Sequence, residues 1–131
     1  MDGQLKTWYV GRNLDRRKQL VERMSVQFRA ALGRLIPHPA FYFDSCRSKP
    51  MVRLRCAMAH VLHSHYQLSY PTIAAITGRT GHSSIYESDQ RWLSIIERGE
   101  TITMPPDKVF HNARDLESAI VAALEAEGFG K

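Results

Sequence analysis

Cysteine is scarce in this chain. Cys46 and Cys56 are the two among 131 residues, too few for a disulfide framework, and they are expected as free thiols of a cytoplasmic protein. Long apolar runs are missing as well: no stretch approaches the roughly 20 residues of a membrane span. The opening "MDGQLKTWYVGRNLDRRKQ" has no apolar h-region, so no signal peptide is expected. There is no G-x-x-x-x-G-K-[ST] loop, which argues against a nucleotide held on a phosphate-cradling turn. No strand signal is convincing and no internal repeat is visible, so the chain reads as all-α. Its length allows one domain, or one domain with an extra arm, burying a single core without staples.

What the chain has is positive charge, unevenly placed. The net charge is +5 and the pI about 9.5. Residues 1–46 carry +4, residues 47–98 another +4, and residues 99–131 carry −3. A basic body with an acidic end suits a protein that approaches a polyanion with one face.

The helical periodicity divides the chain. From Asn13, a candidate cap, a first helix presents Leu20, Met24, Phe28, Ala31, Leu32 and Leu35 as one apolar stripe. Pro37 and Pro39 end it. "AFYFDSCRSKP" follows as a loop whose aromatics are expected to pack on the domain rather than stack on bases. A second helix is predicted from about Met51 to Tyr66, with Leu54, Met58, Val61 and Leu62 inward. Ser69 then caps the short helix "YPTIAAI", whose first turn tolerates Pro71. "TGRTG" breaks the pattern, and a further helix runs from His82 to about Arg98 with Ile85, Trp92, Ile95 and Ile96 inward. Gly99 stops it, and "TITMPPD" is expected to be a linker. A last helix starts at Asp107 or Asn112, carries Leu116, Ile120, Val121 and Leu124, and stops at Gly128.

The functional question centres on "ITGRTGHSSIYES", residues 76–88. Glycines, a basic residue and three short hydrogen-bonding side chains meet at a helix start. An anion or nucleotide site is one explanation, but "GRTG" is too short and lacks the lysine of a P-loop. A tight turn capped by Thr80 or Ser83, with no ligand, is the plainer one. The third is the reading end of a DNA-recognition helix. Short helices in succession with a glycine-containing turn before the last describe a helix-turn-helix, whose second helix enters the major groove by its N-terminal end. His82, Ser83 and Ser84 could reach base edges there. Gly78 and Gly81 would permit a positive φ or a close approach to sugar-phosphate.

Residues 47–92, "RSKPMVRLRCAMAHVLHSHYQLSYPTIAAITGRTGHSSIYESDQRW", resemble the C-terminal DNA-binding domain of the bacterial replication initiator DnaA. "RLRCAMA" matches its Arg-x-Arg helix, and "SYPTIAAITGRTGHSSI" matches its Ser-x-Pro-x-Ile segment and Gly-Gly-Arg-Asp-His-Thr-Thr-Val signature without a gap. The resemblance covers about a third of the chain. It implies that Arg47 enters the minor groove from a basic loop, and that Arg55 meets backbone or base edge beside Lys49 and Arg53. It further implies that Tyr70 and Pro71 touch phosphate, that His82 and Ser83 read bases, that Ser84 meets a thymine methyl, and that Arg91 lies near the backbone. Arg79 and Thr80 complete the candidate DNA-binding set.

The departures fall where base choice is made. The family's acidic residue before the histidine is Gly81, its preceding arginine is Thr80, and Arg79 stands one place early. An aspartate would accept from cytosine N4–H₂, and serines lack the threonine methyl, so a target other than the initiator's usual box is expected. The family's ATPase module is missing, so the chain is not expected to melt an origin alone. Three segments follow from the resemblance: residues 1–46, a basic helix and loop packing on the core; residues 47–98, the helix-turn-helix domain; and residues 99–131, a linker and an acidic helix.

Other chemistry is weaker. Cys56, His60 and His63 fall at i, i+4 and i+7, with His65 nearby and Cys46 and His38 within reach of such a group, but the spacing matches no standard zinc module. Neither cysteine is paired with an oriented base at a recognisable spacing, nor is phosphoryl chemistry at His82 supported, so no enzyme activity, cofactor or metal is expected. The expected partner is double-stranded DNA, read by a nucleoid-associated transcriptional regulator of phage or mobile-element type. Replication-origin binding is the alternative, and a DnaA-like adaptor for a protein partner the other class. A homodimer or protein partner through the C-terminal helix stays open.

Overall fold

The computed structural model describes residues 2–37, 42, 49–78, 82–104 and 108–130, without the side chains of residues 2–15 and His82. Among the described residues, the helices of more than one turn are α1 (Asp2–Leu35), α2 (Lys49–Ser64), α3 (Tyr70–Thr77), α4 (His82–Arg98) and α5 (Ala113–Ala126). A two-stranded hairpin, β1 (Ile102–Met104) with β2 (Lys108–Phe110), lies between α4 and α5. The fold is all-α apart from that hairpin. Among the described residues no helix is long and apolar enough to cross a membrane.

One core joins all five helices. Phe28, Ala31 and Leu32 of α1 meet Leu54, Met58 and Leu62 of α2, Ile73 and Ile76 of α3, Trp92 of α4, and Leu116, Ile120 and Leu124 of α5. The broadest packing is between α2 and α4. Helix α1 lies against α3 and α5, and α5 also covers α2. Leu20, placed in the α1 stripe from sequence, is instead 49% exposed. The buried line runs through Met24, Phe28, Leu32 and Leu35, and Leu20 sits about 100° of helix rotation from its neighbour Val21, which is the one turned inward.

Local chemistry accounts for the helix ends. Ser69 is extended (φ −71°, ψ 154°) and its Oγ accepts from the Thr72 N–H, with Pro71 in the first turn where its missing N–H costs nothing. Gly78 caps the other end in the left-handed region (φ 73°), returning its N–H to the Ala74 carbonyl. Asn112 is the α5 cap, its Oδ1 accepting from the Asp115 N–H at 3.0 Å. The alternative start at Asp107 lies outside the described residues. Helix α1 begins at Asp2 rather than Asn13, and α2 spans Lys49–Ser64 rather than 51–66.

The hairpin corrects the expectation of a strandless linker. Ile102 pairs with Phe110, Thr103 with Val109 and Met104 with Lys108. Ile102 and Met104 are buried while Thr103 is exposed. That is the period-2 alternation of a half-buried strand, carried by three residues and hence too short to register as a pattern.

Candidate nucleic-acid interface

Helices α3 and α4 pack on each other and are joined by residues 78–81, which open with the left-handed Gly78. Gly81, Arg79 and Thr80 lie outside the described residues. At the start of α4, Ser83 and Ser84 are exposed, and the first turn holds no acidic residue to repel an anion. His82 is the first helical residue. Tyr86, one turn on, is 50% exposed. Sequence reasoning passed over it; its position three residues after Ser83 is the signal that could have found it.

Ser84, Arg91 and Arg98 are seven residues apart and therefore share one line along α4. That line borders α2. Lys49, Arg53, Arg91, Arg98 and Glu100 together line a groove of about 360 Å³ between the two helices, floored by Val52 and Ile95. The structure thus brings together three of the sequence-predicted basic residues, Lys49, Arg53 and Arg91, and adds Arg98. Arg53 Nη2 lies 3.0 Å from Glu100 Oε2, and Arg98 Nη1 lies 3.7 Å from Glu100 Oε1. Lys49 and Arg91 make no ion pair among the described residues.

Arg55 is placed differently. Its Nε donates to the Tyr42 carbonyl at 2.9 Å, and its guanidinium sits 5.9 Å from the Tyr42 ring centroid. It holds Tyr42 in place; Arg47 lies outside the described residues.

Behind the packed pair of α3 and α4 lies a polar network that the sequence did not reveal. Asp89 of α4 is 4% exposed. Its Oδ1 lies 2.8 Å from His60 Nδ1, and its Oδ2 accepts from the Tyr70 hydroxyl at 2.7 Å. His60 Nε2 lies 3.2 Å from Glu117 Oε1, which also accepts from Trp92 Nε1 at 3.2 Å. The Tyr70 ring stacks on His63 with centroids 4.2 Å apart and meets Tyr86 edge-on at 5.6 Å. Burial first, then the hydrogen bond to Asp89 and the nearby charge, push the Tyr70 hydroxyl up to about 12. The hydrogen bond to Asp89 turns the Tyr70 hydroxyl inward, while Pro71 beside it is exposed.

The residues considered for zinc have structural roles. Cys56 is buried, His60 belongs to the network, His63 Nδ1 lies 2.9 Å from the Leu68 carbonyl, and His65 packs edge-on to Tyr66. Cys46 and His38 lie outside the described residues. Among the described residues no group of three His, Cys, Asp or Glu side chains is arranged to hold a metal ion.

No family model matches the chain, and neither a curated protein nor a solved structure matches it.

Proposed function

We propose that this chain is a sequence-specific double-stranded DNA-binding protein. The start of α4 enters the major groove, and phosphates run along the basic groove beside it. The observation that supports this most is the alignment of exposed Ser84 with Arg91 and Arg98 on one helix, next to exposed Ser83 and beside Lys49 and Arg53 of α2. Short hydroxyls at a helix start can read base edges, while cations farther along neutralise backbone charge. The resemblance of residues 47–92 to the DnaA C-terminal domain assigns the same docking direction independently. In this proposal Arg47 reaches the minor groove, as the resemblance implies, and Arg79 and Thr80 complete the DNA-contacting set.

Transcriptional regulation is the use we infer. The changed residues at 79–81 suit a target other than an initiator box. Replication-origin binding is the second reading, favoured by the same resemblance. Selection from a random duplex library at a stated salt concentration tests both. Enrichment of a defined motif supports the proposal; salt-insensitive recovery, or none at low salt, sinks it in favour of a protein-binding adaptor.

A further inference from the structure

The basic groove contains one acidic side chain, and its position is specific. Gly99, in the left-handed region at φ 63°, turns the chain off the end of α4. Ile102, fully buried, then pins it against the core. Between these two anchors Glu100 is carried back over the groove. One carboxylate oxygen faces Arg53 and the other faces Arg98, at 3.0 and 3.7 Å. The Glu100 side chain is 29% exposed, so the contact with Arg53 is shielded from bulk water more than an open surface pair.

We propose that Glu100 is a built-in stand-in for a DNA phosphate, which occupies the bridge between Arg53 and Arg98 until a duplex displaces it. This rests on the DNA-binding reading above and specifies how its phosphate groove is regulated. A carboxylate spanning two guanidinium groups with separate oxygens presents the acceptor arrangement of a backbone phosphate. The backbone at 99–102 is held, but the Glu100 side chain can rotate away from the groove. Lys49 and Arg91 remain available for the first encounter. Glu100 thus lowers affinity for any duplex, which suppresses sequence-independent binding more than binding reinforced by base contacts.

The test compares the full chain with Glu100→Gln and Glu127→Gln by titration against a fluorescent random duplex across a salt series. Glu127 pairs with Arg34, joining α1 to the turn after α5, so its substitution makes the same change in net charge at another ion pair. Glu100→Gln is expected to bind about three- to tenfold more tightly at low salt, the share of one phosphate contact, and to steepen the salt slope by about 0.9. Glu127→Gln should stay within about twofold of the parent chain, the weak effect of a distant screened charge. Equal gains in both variants would reduce the effect to net charge and overturn the inference. Weaker binding by Glu100→Gln, with an unchanged circular dichroism spectrum, would make Glu100 a positioning residue for Arg53 and likewise overturn it. In either of those cases duplex binding itself survives, whereas a parent chain and variant that both ignore every duplex would remove the DNA-binding reading along with the inference.

Discussion

Ser83 and Ser84 are where the proposal is most exposed to failure, because a hydroxyl at a helix start has a second use as a cap. Ser83→Ala and His82→Ala are expected to flatten the selected-site profile, each good base contact contributing about 1–3 kcal/mol of discrimination. Overall affinity should fall less than preference does. An unchanged profile for His82→Ala would show that α4 is not the reading helix. Asp89 makes a different kind of residue-level prediction. It is buried, with His60 and Tyr70 as its partners. His60→Ala leaves that carboxylate short of a donor and should cost about 1–3 kcal/mol in denaturant unfolding, the usual cost of an unsatisfied buried polar group. Tyr70 links stability to pH. Its hydroxyl is pushed up to about 12 in the folded chain, against about 10 when unfolded. The stabilisation from the protonated phenol is therefore complete below pH 10 and declines as pH rises towards 12. Tyr70→Phe should lose that decline in unfolding curves taken between pH 9 and 12. Its absorbance titration should also lack the tyrosine component that ionises near pH 12.

At the scale of elements, helix identity was readable where apolar spacing and a cap agreed. Ser69, Asn112, Gly78 and the limits of α4 all follow from side-chain chemistry within one turn of the chain. The hairpin was not readable, since Ile102 and Met104 give only two inward positions, and their burial depends on α2 lying beneath them. The same holds for the groove. Lys49, Arg53 and Arg91 could be named from the resemblance, but Arg98 and Glu100 join them only when α2 and α4 pack and Gly99 turns the chain back. The Asp89 network was likewise hidden, because His60, Tyr70, Asp89 and Glu117 come from four helices. The packed pair of α2 and α4 yields a paired prediction. Arg91→Ala and Arg98→Ala should each reduce the salt slope of duplex binding by about one while leaving the selected sequence unchanged. A change of preferred sequence in either variant would place that arginine on a base rather than on the backbone.

The whole molecule is held by a core that ignores the division into three segments expected from charge and resemblance. Ser25 of α1 donates to the Ile76 carbonyl in the last turn of α3 at 3.1 Å, and Gln27 donates to the Gly128 carbonyl at 3.3 Å. Leu116, Ile120 and Leu124 of α5 and Phe129 after it are buried with them. The apolar face of α5, open from sequence as a contact for a second chain, therefore covers α1 and α2. A helix-turn-helix pair of eight and 17 residues has too little apolar surface to stand alone, and helices this short are marginal without packing. Truncation before Asn112 should therefore abolish the cooperative unfolding transition of the whole chain, including the helix-turn-helix. Phe129→Ala is the milder variant, expected to cost about 3–5 kcal/mol as a fully buried aromatic. If the truncated chain kept a sharp transition and dispersed amide resonances, residues 1–111 would fold without α5. The acidic C-terminal segment would then be free for a partner. If the transition is lost, the C-terminal helix supports the proposed DNA interface by holding α2 where Lys49 and Arg53 face α4.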